Sequence, residues 1–377
     1  MSKPQKRKEK QMQKKRLKKG KAIQQHLSAL RNFNVVAVFI AKNEAEALPR
    51  LMKSLDGFAD RVVIVDTGST DNTVEVATQL GAEVHMMPWP DSFSAARNRA
   101  VELANAGSAT WIAMFDADEV LEKGRELRWK LQKVPDRIGV VSIFHRTKFG
   151  HKFPRACIWK PGKAKWKYRF HEHLLSDEKG IQVTIPHFVD HPDDVGKNHD
   201  NDRILELMRM DTVEYPEDWT RHYYYGRQLY FRKDPACLDY LRKVYDKSTW
   251  LAEAGQAAVF AGNFFEWQAE QLMKSDNENK DQLAAEASQI ACNFYKMSIA
   301  KYPRLRGAYA GMVRTTTDNY ERLVSAMTAL KVPESTFFDD PPRYFSKQGV
   351  DSFVEIIRSL EHLTNGGANA SHAEAVS

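Results

Sequence analysis

Between residues 35 and 122, short continuous apolar runs alternate with stretches whose apolar positions recur every three or four residues. Val35–Ala41 is continuous and rich in β-branched residues, the pattern of a strand buried on both faces in a parallel sheet. After Lys42-Asn43-Glu44, the residues Leu48, Leu51, Met52 and Leu55 return at helical spacing; Pro49 fits only in a first turn, and Gly57 marks the stop. Residues 61–65 predict a second buried strand, which runs into the polar stretch from Asp66 to Thr73. Thr70 or Asp71 can cap a helix over 74–80, with Gly81 beyond its end. A third strand is expected over 84–87, a helix from Ser92 or Ser94 through Ala104 with Gly107 after it, and a fourth strand over 111–115. This alternation predicts an α/β fold, a mostly parallel sheet with helices on both faces. Its site belongs at the carboxyl ends of the strands, with Asp66, Asp116 and Asp118 along one edge.

The pattern changes after residue 140. A strand over 140–145 is followed by basic and aromatic segments holding His151, Arg155, Trp159, Trp166, Arg169 and the triplet His171-Glu172-His173, and then by His187 and His191. These segments are too irregular to assign as elements and are expected to form the acceptor side of a cleft. From about Asp200 the periodicity is helical: Ile204, Leu205, Leu207 and Met208 form one stripe, and Tyr223, Tyr224, Leu229 and Tyr230 with Leu238, Leu241 and Val244 suggest a helical pair. Tyr215-Pro216 and Tyr302-Pro303 open similar segments, a faint repeat in which Gly226 is the one small residue suitably placed for a tetratricopeptide pattern. A last amphipathic helix is expected over 350–363. The organisation read from the chain is a basic tail (1–32), an α/β domain (33–198), a helical domain (199–364) and a small-residue tail (365–377) expected to lack structure.

At 377 residues the chain is long enough for two such units. Its net charge of +7 is unevenly placed: residues 1–21 hold eleven of the 56 Lys and Arg and one of the 49 acids, leaving 45 basic against 48 acidic residues elsewhere. A run of that kind is either a solubilising tail or a tether for a polyanion such as nucleic acid or an anionic membrane surface. The three cysteines are far apart in sequence, which excludes a disulfide framework and a cysteine metal site and fits a reducing compartment. The longest apolar run is too short to span a bilayer and no signal peptide is visible. A soluble, cytoplasmic protein is therefore expected.

Chemistry concentrates at Trp111–Glu119, where an apolar run stops at Asp116 and Asp118. If the strand continued through them, residues i and i+2 would face one cleft and could hold a hard cation together with a substrate's phosphates. An acidic turn closing a buried strand is the plainer reading. Taken together, FIAKNEAEALPRLMKSL, VVIVDTGSTDNTVEVA, FSAARNRAVELA and WIAMFDADEVL resemble, in order and spacing, the nucleotide-sugar-binding half of family 2 glycosyltransferases of the GT-A fold, a Rossmann-like architecture. The resemblance is to soluble members that carry tetratricopeptide-like helices after the catalytic domain. It covers residues 34 to about 122 strongly and about 123 to 215 more loosely.

That resemblance implies a metal-dependent, inverting transfer of a sugar from a nucleotide-sugar donor, a UDP-sugar first among them, to an acceptor hydroxyl, a saccharide first among acceptors. It implies that Ala41, Glu44, Asp66 and Arg97 bind the donor nucleotide, that Asp118 ligates Mn²⁺ or Mg²⁺, and that Asp116 reaches the ribose or a metal-bound water. His191, or else His187, would complete the metal shell. The family's usual downstream pair of acids is missing; Arg169-Phe-His-Glu172 is the nearest match, so Glu172 is the expected base, with His171 or His173 able to take the same proton. Two other readings stay open: a DNA-modifying glycosyltransferase that acts on a hydroxylated base with the basic tail on the polyanion, and a non-catalytic helical scaffold with a degenerate transferase domain. A nucleotidyltransferase is disfavoured because Ala41-Lys-Asn-Glu44 lacks the glycine-rich phosphate loop.

Overall fold

The computed structural model describes residues 33–147, 152–176, 181–191, 202–332 and 351–360. The basic tail and the C-terminal tail, with whatever they bind, lie outside the described residues. The chain divides into two compact units, Met1–Lys197 and Asn198–Ser377.

In the first unit one eight-stranded sheet carries everything else. Strands β1 (Val35–Ala41), β2 (Arg61–Asp66), β3 (Glu83–Met86) and β4 (Trp111–Met114) are parallel, in the order β3-β2-β1-β4. Alternate residues of β1 enter different layers, as the period of two requires. Val35, Ala37 and Phe39 pack with Leu48 and Leu51 of helix α1 (Leu48–Ser54), with Ala77 of α2 (Thr73–Gln79) and with Leu127 of α4 (Gly124–Leu131). Val36 and Val38 pack with Ala100 of α3 (Phe93–Leu103) on the opposite face. Ser92 rather than Ser94 caps α3, accepting from Ala95 N at 3.2 Å. Asp71 rather than Thr70 braces the start of α2, accepting from Thr73 N at 3.0 Å.

The irregular stretch after residue 137 continues the same sheet. β6 (Ile138–Thr147) and β7 (Lys152–Trp159) are antiparallel, and β7 inserts next to β4. β10 (Ile181–His191) runs parallel to β6, with irregular register between Thr184 and Phe188, and the two-residue β5 (Val120–Leu121) closes the edge antiparallel to it. A separate ribbon pairs β8 (Lys165–Lys167) with β9 (His173–Leu175). The fold is thus a mixed, mostly parallel sheet flanked by helices, as in a GT-A-type domain, with a run of helices after it.

The second unit is helical: α5 (Asp202–Glu214), α6 (Trp219–Phe231), α7 (Cys237–Lys247), α8 (Leu251–Met273), α9 (Lys280–Lys301), α10 (Arg306–Thr315) and α11 (Asn319–Lys331), with residues 351–360 also helical. Each helix from α5 to α11 packs on its successor. Small residues set the closest approaches. The fully buried Tyr295 of α9 lies against Gly262 of α8 and Gly311 of α10, and its hydroxyl donates to Asn263 Oδ1 at 2.7 Å. Among the described residues no helix is long and apolar enough to cross a membrane.

Candidate functional site

The registers Ala41↔Asp66 and Val38↔Met114 bring the carboxyl ends of β1, β2 and β4 to the same side of the sheet. At the first of these ends the Ala41 carbonyl accepts from Thr67 N at 2.9 Å and from its hydroxyl at 3.1 Å. Asp66, fully buried, accepts from Gly68 N and Ser69 N, both at 2.9 Å, and from the Ser69 hydroxyl. It therefore shapes the turn that leaves β2. Gly68 has φ of 105°, a conformation a β-carbon would oppose. Asn43, also at positive φ, laces this turn to the loop after β1 by accepting from Thr70 N at 2.7 Å. Glu44 is nearly buried, and its N–H donates to the Thr73 hydroxyl at 2.7 Å. The motif residues after β1 and β2 thus form one hydrogen-bonded platform.

At the end of β4 the structure departs from the expectation of two aspartates side by side on a strand. The strand stops at Met114, and residues 117–118 form a turn. Asp116 instead lies between two arginines: Arg97 Nη2 donates to Oδ1 at 2.7 Å and Arg155 Nη1 donates to Oδ2 at 2.9 Å. Arg97 also donates through Nε to Glu172 Oε1 at 2.7 Å, with its guanidinium 5.0 Å from the centre of the Trp166 ring. Arg155 continues to Glu119 at 2.8 Å, and Glu119 accepts from the Asp116 N–H at 2.9 Å and lies 3.1 Å from His145 Nδ1. Glu119 and His145 have no exposed side-chain surface; Arg97 and Glu172 have 9% and 13%. Burial alone would raise these acids. The paired guanidiniums of Arg97 and Arg155 outweigh it and hold Asp116 well below the usual carboxylate range, while Arg155 and His145 hold Glu119 at about 2.

Local sequence explains how Glu172 reaches this cluster. Asn98, next to Arg97 on α3, mimics a strand partner for β8: its Nδ2 donates to Trp166 O at 2.9 Å and its Oδ1 accepts from Trp166 N at 3.0 Å. Phe93 N donates to Arg169 O at 2.9 Å, so the same helix holds the segment at both ends. Tyr168 and His171 both adopt the left-handed backbone region, with φ of 77° and 50°. Such values are uncommon for residues other than glycine and concentrate where a chain is held for function. The turn at His171 delivers Glu172 to Arg97.

Asp66, Arg97, Asp116 and Glu172 thus stand at the sheet edge where the motifs predict them. Asp118 is half-buried in the adjoining turn. His187 is held elsewhere, its Nε2 donating to the Glu122 carbonyl at 2.5 Å; burial lowers its pKa, so the ring sits there neutral. The side chain of His191 lies outside the described residues. Among the described residues no three His, Cys, Asp or Glu side chains cluster as a ready metal cage. A hard divalent cation does not need one, because Mg²⁺ characteristically takes one or two carboxylates and completes its shell with water and a substrate's phosphates. Both oxygens of Asp116 already face guanidiniums.

Glu119 and His145 are additions that the sequence did not single out for a role, and Arg155, expected among the acceptor-side segments, bonds Asp116 and Glu119. The three lie on different elements and share no signal; His145 alone stands out, as an ionisable residue after Val140, Val141 and Ile143.

The strand ends thus gather acids around the buried Arg97 and the half-buried Arg155, at the edge where α/β sheets of this kind bind ligands. Residues 36–189 match Glycosyl transferase family 2, and the chain carries a domain of that family. A TPR repeat-containing protein of Synechococcus elongatus is 30% identical over 218 residues, covering 57% of this chain and 47% of that one. The SPbeta prophage-derived glycosyltransferase SunS of Bacillus subtilis is 26% identical over 221 residues, covering 54% and 51%. The chain thus spans about half the length of these curated relatives. Among solved structures, glucosyl-3-phosphoglycerate synthase from Mycobacterium tuberculosis, in complex with Mn²⁺, uridine-diphosphate and glucosyl-3-phosphoglycerate, is 23% identical, covering 32% of this chain and 46% of that one with a TM-score of 0.27.

Proposed function

We propose that the protein is a glycosyltransferase that moves a sugar from a nucleotide-sugar donor, a UDP-sugar first among them, to an acceptor hydroxyl, with inversion and with the help of Mn²⁺ or Mg²⁺. The observation that carries the reading is the chain Asp116–Arg97–Glu172, two 2.7 Å ion pairs joining the acids of the fourth strand's end to the loop before β9. The platform of Ala41, Glu44 and Asp66 is assigned to the nucleoside, with Asp66 and the Ala41 carbonyl, both engaged in the turn after β2, bracing the backbone on that side. Asp118 would hold the cation, which when bound supplies Lewis-acid stabilisation of the nucleoside diphosphate leaving group. Arg97 and Arg155 keep Asp116 ionised and fixed, so that its remaining lone pairs can take a ribose hydroxyl. Glu172 is assigned as the base, with His171 beside it. The Arg97 pair orients the carboxylate, and Glu172 must loosen from that arginine, or share it, to accept the acceptor's proton. A saccharide is the acceptor the family resemblance implies first, and nothing among the described residues favours DNA over it.

The test separates binding from transfer. With a panel of nucleotide-sugars and Mn²⁺, the wild type should hydrolyse or transfer from at least one donor. Glu172→Gln should lower turnover about 10²–10⁴-fold with donor affinity retained, whereas Asp118→Ala should weaken metal-dependent donor binding. Wild-type turnover in Asp118→Ala would remove that residue from the metal site; wild-type turnover in Glu172→Gln would remove the base.

A further inference from the structure

The candidate base stands on a piece of the first unit that cannot hold its own shape. β8 and β9 are three residues each and form a sheet of two strands apart from the eight-stranded one, in the register Trp166↔Leu174 and Lys167↔His173. A two-stranded ribbon of that size is not stable in water by itself. Glu172 sits at its edge, one residue before His173. What fixes the ribbon comes largely from α3. The half-buried Asn98 spends both ends of its carboxamide on one residue: Oδ1 accepts from Trp166 N at 3.0 Å and Nδ2 donates to Trp166 O at 2.9 Å. This is the pair of bonds that a neighbouring strand would make. Phe93 N adds a bond to Arg169 O at 2.9 Å. The Trp166 indole is buried in the layer that holds Ala100 of the same helix, edge-on to Trp159 with ring centres 6.2 Å apart. Arg97, adjacent to Asn98, reaches both Asp116 and Glu172. One turn of α3 therefore touches the donor-side acid, the candidate base and the ribbon that carries the base.

We propose that Asn98 is a positioning residue: its carboxamide sets the register of residues 165–175 on α3 and thereby the place of Glu172 relative to Arg97 and Asp116. The role given to Glu172 rests on the transferase reading above; the clamp on the ribbon does not. A slip by one residue, with Asn98 paired to Lys167 in place of Trp166, moves the ribbon by about 3.3 Å. A base must lie within about 3 Å of the proton it takes, so a slip of that size removes Glu172 from its task. Asparagine suits the position because one short side chain both donates and accepts, whereas an ionised aspartate only accepts.

Two readouts on the full chain separate this role from general stability. By amide hydrogen exchange and mass spectrometry, residues 165–175 should exchange about tenfold faster or more in Asn98→Ala than in the wild type, with residues 35–41, 61–66 and 111–114 unchanged. With a nucleotide-sugar that the wild type turns over, Asn98→Ala should lower kcat by about 10²-fold, while the donor KM and the binding of UDP with Mn²⁺ stay within about twofold. Asn98→Asp, which can still accept from Trp166 N but not donate to its carbonyl, should fall between the two in both readouts. Wild-type exchange across 165–175 in Asn98→Ala overturns the proposal, as does faster exchange there with an unchanged kcat. Faster exchange spread over the whole sheet, or an equal loss of kcat and UDP binding, overturns it too by making Asn98 a general stabiliser of the domain. If the wild type turns over no nucleotide-sugar, the transferase reading fails by itself, and the exchange result still decides whether Asn98 holds the ribbon.

Discussion

Replacing Arg155 with methionine removes one charge from the centre of the acid cluster and keeps most of the side-chain volume. Its consequence can be worked from the two acids it bridges. Asp116 keeps Arg97 at 2.7 Å and has 32% of its side chain exposed, so its loss is small. Glu119 has no exposed side-chain surface and would lose its guanidinium while keeping His145 and the Asp116 N–H. A buried ion left unpaired destabilises by about 3–5 kcal/mol, but the molecule has an escape, which is to protonate Glu119. With an ordinary value of 4.5, that proton costs about 3 kcal/mol at pH 7 and almost nothing at pH 4.5. The lost Arg155 hydrogen bonds add about 1 kcal/mol at either pH.

The sign follows from the direction of the shift. In the wild type Glu119 is depressed to about 2, so its contribution is complete above about pH 4.5 and is lost as the pH falls through 2. In the variant its pKa lies above 4.5, and stability rises as the pH is lowered towards that value. Urea unfolding of wild type and Arg155→Met at pH 7 and pH 4.5 should therefore show a difference of roughly 3–5 kcal/mol at pH 7 that shrinks to about 1–2 kcal/mol at pH 4.5. The transition of the helical unit serves as the internal control. A difference below about 1 kcal/mol at pH 7, or one equal at both pH values, would refute the buried network.

Two further substitutions and a labelling experiment probe the rest. Gly311→Ala would place a β-carbon 2.3 Å from the Tyr295 ring, and an overpacked contact of that kind should lower stability by about 1–3 kcal/mol in thermal melts; an unchanged melt would mean that Tyr295 is free to move. Gly124→Ala meets the Ser54 carbonyl at 2.9 Å and should destabilise the α/β unit similarly, with an unshifted unfolding midpoint as the contrary result. Cys157, Cys237 and Cys292 are all buried, and burial pushes Cys157 and Cys237 up to about 12. A thiol reagent at pH 8 should label none of the three until denaturant is added; fast labelling of any one would show that its wall opens.

The parallel half of the sheet was legible in the chain because Val, Ile and Ala runs bounded by caps and glycines carry their own local signal. The second half was not. β7 begins with Lys152 and includes Pro154, and β10 is broken at Ile185-Pro186-His187, so neither alternates cleanly. β7 is a strand because it pairs with its neighbour β6 and with the more distant β4, and β10 because it pairs with β6 across the intervening strands. The site divides the same way. Asp66, Arg97 and Asp116 stand at predicted strand or helix ends, and the order of motifs places them together. β4 ends at Met114, before the aspartates, and the two guanidiniums on Asp116 come from residues 19 and 39 positions away, which no local pattern reveals. Glu119, Arg155 and His145 had no local pattern at all, since ion pairs between strands leave no period in a sequence. His187, the second choice after His191 as a metal ligand, bonds the Glu122 carbonyl through Nε2.

The central claim is that the ends of β1, β2 and β4 hold a nucleoside diphosphate with a divalent cation on Asp118. Calorimetric titration of the full chain with UDP, with and without Mn²⁺, tests it most directly. Saturable binding that requires the metal, and that disappears in Asp118→Ala while thermal stability is kept, is the predicted result. If UDP and the other nucleoside diphosphates fail to bind in the presence of Mn²⁺ and of Mg²⁺, the donor site assigned to this edge of the sheet is wrong.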